Sequence, residues 1–154
     1  MTEFIDYYQA PYSLLKILCD ADSLLSIEFV AQPSQTAKPS VLTERIKQQL
    51  RQYERDPSFR FDLPVRAQGT AYQQKVWQAL TTIPAGQLRR YGELSQQLNS
   101  SARAVGSACR RNPTPVVVPC HRVVAASGLG GFAGATDGDM LAIKNWLLAH
   151  EGAL

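Results

Sequence analysis

A cysteine, a histidine and an arginine stand side by side directly after three valines and a proline. The valine run Val116–Val118 predicts a short buried strand, and Pro119 fixes the backbone so that Cys120 emerges at a bend. A thiol in such a place is most often a small apolar residue of the core. Here His121 can take the thiol proton and the neighbouring charge of Arg122 favours a thiolate, so we interpret Cys120 as a nucleophile.

This motif needs further groups to work. Adjacent side chains rarely point the same way, so we expect His121 to reach the thiol through a bridging water. A Cys–His relay also needs a carboxylate that orients the imidazole. The C-terminal half offers four carboxylates: Glu93, Asp137, Asp139 and Glu151. Glu151 is the best placed of them, because it ends a predicted amphipathic helix over Met140–Glu151.

Two short predicted helices precede the motif. The first covers Tyr91–Leu98, the second begins near Ser101 and ends near Arg111, and a turn at Asn99-Ser100 joins them. Two helices with a tight turn predict a helix-turn-helix, although any helical hairpin gives a similar pattern. The segment carries Arg89, Arg90, Arg103, Arg110 and Arg111 against one acidic residue. Guanidinium groups suit phosphates and base edges, which favours nucleic acid over an ordinary solvated face.

Composition and charge narrow the class of protein. The net charge of +3 is uneven, with eight basic and nine acidic side chains in residues 1–68 and eight basic and four acidic ones in 69–154. No apolar run approaches the roughly 20 residues of a membrane helix, and the N-terminus has no apolar core of a secretory signal. Three cysteines without a CxxC pair and two histidines do not suggest a metal site. We therefore expect a cytoplasmic protein with no cofactor, no bound metal and no membrane partner.

Residues 1–67 show no catalytic motif, and we interpret them as a scaffold domain. Their pattern predicts two strands that form a hairpin, a loop, a helix capped by Ser40, and a half-buried strand. The predicted bounds are Ser13–Cys19 and Leu24–Ala31 for the hairpin, 31–39 for the loop, an end before Pro57 for the helix, and Phe59–Val65 for the last strand. The helix should bury Leu42, Ile46, Leu50 (or Gln49) and Tyr53.

From residue 68 the pattern becomes mainly helical, and we place a domain boundary there. Thr70 and Gln73 form a capping-box sequence that predicts the start of a helix. Its predicted apolar face holds Tyr72, Val76, Trp77, Leu80 and Ile83. The second domain therefore covers residues 68–154.

Five segments between Thr70 and Gly152 resemble the O6-alkylguanine-DNA alkyltransferases, also called methylated-DNA–protein-cysteine methyltransferases. They are VWQALTTIPAGQ, YGELS, ARAVGSACRRNP, VVVPCHRVV and KNWLLAHEG. Residues 1–66 fit the family only by position. The resemblance implies an α+β fold, with a small ribonuclease H-like α/β domain before a mostly helical domain that contains the helix-turn-helix.

The resemblance also implies an activity. The protein would transfer the alkyl group of O6-methylguanine in double-stranded DNA to Cys120, irreversibly and once per molecule, and O4-methylthymine stays open as a second substrate. His121 and Glu151 would form the water-linked relay, and Asn112 would brace the site. Lys144 would lie near the pocket. We expect a monomer in solution.

On the DNA side, the resemblance implies that Arg103 enters the duplex and takes the place of the extruded base. Tyr91 would assist the rotation of the nucleotide and donate a hydrogen bond to the departing guanine. The remaining DNA-binding assignments are Ala102, Ala104, Gly106 and Arg110. The pocket assignments are Pro115, Cys109, Phe132 and Ala133.

The sequence departs from the family pattern at a few points. The spacing from Tyr91 to Arg103 is two residues shorter than usual, Arg90 replaces a common serine, and Phe132 replaces a common tyrosine in a pocket loop that is a few residues longer. Two other functions remain as alternatives. An alkyltransferase-like lesion sensor would keep the fold but replace the cysteine, and a Cys–His hydrolase would need an oxyanion hole and a substrate cleft.

Overall fold

The computed structural model describes residues 2–128, 130 and 138–154 of the chain. The chain forms two compact units, Met1–Gln68 and Gly69–Leu154. Strands and helices together confirm the α+β class. Within the described ranges, no helix is long and apolar enough to cross a membrane.

The first unit is built on a three-stranded antiparallel sheet in the order β1-β2-β3. Its strands are β1 (Phe4–Gln9), β2 (Leu14–Cys19) and β3 (Leu24–Val30), so the predicted hairpin is confirmed. Strand β1 was not predicted because its inward face carries a carboxylate. The buried Asp6 accepts a hydrogen bond from the Thr43 hydroxyl, at 3.1 Å, which satisfies it within the fold.

Helix α1 (Val41–Arg55) packs against β1 and β2. Ser40 caps its first turn as predicted, because the Ser40 hydroxyl accepts from the Thr43 amide at 3.1 Å. The core-facing residues include Ile46, Leu50 and Tyr53. Leu42 is only half-buried, since the adjacent Thr43 occupies the buried position and bonds to Asp6.

The predicted strand Phe59–Val65 is wrong. The segment is extended, but only its end touches the sheet, where the Leu24 amide donates to the Pro64 carbonyl at 2.7 Å. Side chains of α1 satisfy its backbone instead: Gln49 accepts from the Asp62 amide at 2.9 Å and donates to the Asp62 carbonyl at 3.0 Å. The alternating phenylalanines therefore pack as side chains near α1 rather than as part of a ladder.

The second unit begins with α2 (Ala71–Leu80), whose capping box at Thr70 and Gln73 is confirmed. The Trp77 indole donates to the Ala108 carbonyl at 2.8 Å, which ties α2 to the helix-turn-helix. Gly69 makes room for this ring, because a Cβ at residue 69 would lie 2.4 Å from Trp77 Cη2.

The helix-turn-helix consists of α3 (Tyr91–Gln97) and α4 (Ala102–Arg110), which pack against each other. Asn99 occupies the left-handed region, with φ of 53°, and the Ser100 amide donates to the Ser95 carbonyl at 2.7 Å. This is a Schellman ending with asparagine in the place that glycine usually takes. It explains how the chain turns within the shortened spacing noted in the sequence.

Three further elements complete the unit. The two-residue strands β4 (Arg89–Arg90) and β5 (Val123–Val124) pair in parallel. Helix α5 (Gly138–His150) ends the fold and packs against the 3₁₀ turn Cys120–Arg122. The turn Cys120–Arg122, directly before β5, therefore lies close to Glu151, the residue directly after α5. The candidate site forms between them.

Candidate active site

A tight loop, and not a strand, delivers the cysteine. The predicted strand Val116–Val118 is wrong, because Val116 lies in the left-handed region, with φ of 73°, and the Val118 amide donates to the Thr114 carbonyl at 2.9 Å. The Asn112 amide then donates to the Val118 carbonyl at 2.9 Å. Prolines have no N–H to contribute to a ladder, so the flanking prolines favour this turn. The loop leads directly into the buried Cys120.

The Cys120 thiol lies in a buried site, with the residue only 6% exposed. Burial raises the pKa of Cys120, while a hydrogen bond from Asn112 and the charge of Lys144 act in the opposite direction. Burial outweighs both, so the resting group is a neutral thiol. This corrects the expectation that the neighbouring arginine favours a thiolate: the nearby cation is Lys144, and Arg122 contacts a different group.

His121 and Glu151 are in direct contact. The two side chains are fully buried, and His121 Nε2 lies 2.8 Å from Glu151 Oε2. An ionised carboxylate can only accept, so Nε2 carries the proton and Nδ1 of the neutral ring carries the lone pair. Nδ1 is buried and has no hydrogen-bond partner among the described residues. Burial lowers the pKa of His121, although Glu151 opposes this. The imidazole is therefore neutral and able to accept a proton.

Arg122 contacts the Glu151 carboxylate, a role that the sequence analysis did not assign to it. Its Nε donates to Glu151 Oε1 and its Nη2 to Glu151 Oε2, both at 2.9 Å, and its Nη1 donates to the Ile83 carbonyl at 2.6 Å. An arginine that is only 9% exposed needs such partners for its charge. Its position directly after His121 was the available signal in the sequence, but no local pattern identifies a carboxylate 29 residues away.

Lys144 is buried completely on α5, and its Nζ donates to the Val123 carbonyl at 2.8 Å. Burial lowers the pKa of Lys144 to about 8, while the nearby thiols of Cys120 and Cys109 act to raise it. The structure thus gathers an ammonium and two thiols in one buried cluster.

Tyr91 and Cys109 belong to the same cluster. Burial raises the pKa of Tyr91 to about 12 and that of Cys109 to about 12. The tyrosine ring lies near Gly106 on α4 and close to Gly130, where a Cβ would be 3.1 Å from the ring. Gly130 has φ of 72°, so both the backbone and the space there require glycine. The phenol stays protonated at neutral pH and can donate a hydrogen bond.

The remaining candidates divide by exposure. Ala102, Arg103 and Arg110 are exposed on α4, whereas Ala104 and Gly106 are half-buried. Pro115 is buried in the loop before Cys120. The predictions for Phe132 and Ala133 lie outside the described residues.

Known proteins resemble this chain over most of the second unit and beyond. Residues 71–153 match the family model described as 6-O-methylguanine DNA methyltransferase, DNA binding domain. A methylated-DNA–protein-cysteine methyltransferase of Shigella flexneri is 47% identical over 95 residues, or 60% of this chain and 53% of that protein. The chain thus spans about half the length of several curated relatives that it matches.

Other similarities extend over nearly the whole chain. A methylated-DNA–protein-cysteine methyltransferase of Methanosarcina acetivorans is 33% identical over 155 residues, covering 95% of this chain and 96% of that protein. The crystal structure of Mycobacterium tuberculosis OGT in complex with DNA has a TM-score of 0.82 and 34% identity, covering 96% of this chain and 91% of that chain.

Proposed function

Because the chain belongs to the 6-O-methylguanine DNA methyltransferase family, we propose that it repairs alkylated DNA by direct reversal. The Sγ of Cys120 takes the alkyl group from O6 of a guanine in double-stranded DNA. The observation that carries this proposal is a buried thiol directly beside a buried histidine–glutamate pair, within the residues that match the family.

The first step is removal of the thiol proton. His121 Nδ1 accepts it through a bridging water, and the carboxylate of Glu151, 2.8 Å from Nε2, stabilises the imidazolium that forms. The thiolate is a strong nucleophile, whereas the neutral thiol of the resting state is not. Activation is thus coupled to the relay, because burial raises the pKa of Cys120.

Asn112 and Lys144 support the thiolate directly. The hydrogen bond from Asn112 and the positive charge of Lys144 both lower the pKa of Cys120 against the effect of burial. The contact between Lys144 Nζ and the Val123 carbonyl, at 2.8 Å, holds the ammonium in the cluster. Lys144 therefore acts as a counterion at the moment when negative charge appears on sulfur.

In the transfer step, an S–C bond forms at Cys120 as the C–O6 bond of the lesion breaks. The electron pair of the broken bond goes to guanine, which becomes neutral by taking up one proton, equivalent to the proton that His121 removed from the thiol. Tyr91 donates a hydrogen bond to the departing guanine, since its phenol keeps its proton: burial raises the pKa of Tyr91 to about 12. The reaction balances without an oxidant, a reductant or a cofactor.

The burial of Cys120 requires the lesion to leave the duplex. A base inside the stack cannot reach a thiol that is only 6% exposed, so the nucleotide must be flipped, at a cost of a few kcal/mol. The exposed Arg103, near the start of α4, fills the space that the base leaves. Arg110 contacts phosphate, and the small side chains on α4 allow close approach of the backbone; these are Ala102, Ala104 and Gly106. The pocket for the flipped base uses Pro115, Cys109, Phe132 and Ala133.

The product limits each molecule to one lesion. The thioether at Cys120 has no route back within this site, so repair is stoichiometric. The protein works as a monomer in the cytoplasm, at the nucleoid if the source is bacterial. Residues 1–67 serve as a scaffold for the DNA-binding and alkyl-acceptor domain, 68–154.

Mass spectrometry after incubation with duplex DNA containing O6-methylguanine tests the proposal. We expect one methyl group on the peptide that contains Cys120, with the matched variants Cys120→Ser inactive and Cys109→Ser active. Lesion binding without a gain in mass would instead indicate a sensor. Turnover of an ester or peptide would indicate a hydrolase, and a methyl group on Cys109 would refute the assignment of the nucleophile.

A further inference from the structure

The Glu151 carboxylate contacts both His121, which belongs to the relay, and Arg122. One carboxylate oxygen, Oε2, lies 2.8 Å from His121 Nε2 and 2.9 Å from Arg122 Nη2, while the other, Oε1, accepts from Arg122 Nε at 2.9 Å. The guanidinium therefore holds the carboxylate with two parallel hydrogen bonds, the strongest geometry for this pair. The third contact, from Arg122 Nη1 to the Ile83 carbonyl, anchors the guanidinium itself.

The charges in this buried group have a definite balance. Arg122 and Glu151 cancel each other, so a neutral imidazole leaves the trio uncharged. A protonated His121 would add an uncompensated positive charge beside Arg122, and the charge of the buried Lys144 also disfavours that protonated form. Without the guanidinium, Glu151 would be free to form an ion pair with an imidazolium. That imidazolium could not accept a proton from the thiol.

We infer that Arg122 is a positioning residue of the relay, which fixes the Glu151 carboxylate against His121 Nε2 and keeps the resting imidazole in its neutral, proton-accepting form. This inference rests on the proposed function for its consequence, but the charge state of His121 can be measured without any reaction. The transient imidazolium of the transfer step differs from the resting case, because the thiolate formed at Cys120 compensates it.

The consequence is a shift in pH dependence. Burial and the charges of Arg122 and Lys144 lower the pKa of His121, while Glu151 acts to raise it. Removing the guanidinium removes one of the lowering contributions, so the imidazole should protonate at higher pH. Alkyl transfer needs the neutral ring, so the acid limb of the rate profile should move in the same direction.

The experiment is an NMR titration of the His121 ring in the full chain, assigned with a His150→Gln variant, alongside single-turnover methyl transfer from pH 5 to 8. In Arg122→Gln we expect the midpoint of the His121 titration and the acid limb to rise together. The matched control is Arg111→Gln, which removes one exposed arginine from the same unit. It should leave the titration unchanged.

Arg122→Lys completes the test. Lysine keeps the charge but cannot donate to both carboxylate oxygens, so its shift should be smaller and in the same direction. It also covers the case in which Arg122→Gln does not fold. If Arg122 has only a structural role, both variants should have a lower melting temperature but an unchanged titration of His121. That result would overturn the inference. A shifted titration with no methyl transfer in the wild type would instead refute the proposed function alone.

Discussion

Replacing Glu151 with glutamine tests the relay most directly, because the change removes one charge and little volume. The carboxylate lies 2.8 Å from His121 Nε2 with both side chains fully buried. Two unit charges whose centres are about 4 Å apart interact by about 4 kcal/mol at an effective dielectric constant near 20. If this interaction stabilises the imidazolium in the transition state, its loss should slow methyl transfer by about 10³-fold.

The assay is single-turnover methyl transfer at saturating protein, with lesion affinity measured separately by a binding titration. We expect the rate to fall and the affinity to remain, because Glu151 is buried and the proposed phosphate contacts are made by other residues. Glu151→Asp is the matched control: it keeps the charge, shortens the reach, and should retain more of the rate than glutamine.

Folding must be checked alongside these rates. Glu151→Gln leaves the buried guanidinium of Arg122 without its counterion, which typically costs about 3–5 kcal/mol of stability. Circular dichroism at the assay temperature shows whether the variant is folded. A folded Glu151→Gln protein that transfers methyl at the wild-type rate would refute the relay. Equal losses of affinity and rate would place Glu151 in DNA binding or in fold stability instead.

Three further predictions concern individual residues. Arg103→Ala should slow reaction with duplex O6-methylguanine by roughly 10² to 10³-fold, equivalent to about 3 to 4 kcal/mol, yet leave reaction with free O6-benzylguanine nearly unchanged; equal losses on both substrates would contradict the base-replacing role. Burial lowers the pKa of Lys144 to about 8, below the value near 10.5 of the unfolded chain. Between these two pH values the unfolded state binds more protons at this group than the folded state does. Lys144 therefore makes the wild type more stable as the pH rises from 8 to 10.5. Chemical denaturation should show this gain shrinking in Lys144→Met, and an unchanged pH dependence would be evidence against the buried ammonium. Gly69→Ala should lower the free energy of unfolding by about 1–3 kcal/mol through its collision with Trp77, whereas Gly92→Ala, which meets nothing within 4 Å, should not.

Local patterns in the sequence were sufficient for most helices. The capping sequences at Ser40 and Thr70 mark helix starts that the structure confirms, and the helix-turn-helix was predicted to within about a residue. These signals are short-range, because a cap and an apolar stripe are set by residues three or four positions apart. The same holds for the nucleophile hypothesis, which depends on adjacent residues.

Extended segments were predicted less well, because an alternating or apolar run does not identify its hydrogen-bond partner. Phe59–Val65 has the pattern of a half-buried strand, but side chains of α1 satisfy its backbone at Asp62. Val116–Val118 has the pattern of a buried strand, but it forms a turn held by Asn112. Strand formation depends on which segments become neighbours, and that is decided by the fold as a whole.

The candidate site divides in the same way. The sequence by itself determined that Cys120 is followed by a base and that four carboxylates could orient that base. Only the tertiary structure decided that Glu151 meets His121, that Arg122 holds the same carboxylate, and that Lys144 is the cation near the thiol. The physical reason is that buried charges are tolerated only where the fold supplies their partners. Glu151 lies 29 or more residues along the chain from both His121 and Arg122, so no local pattern in the sequence shows that they meet.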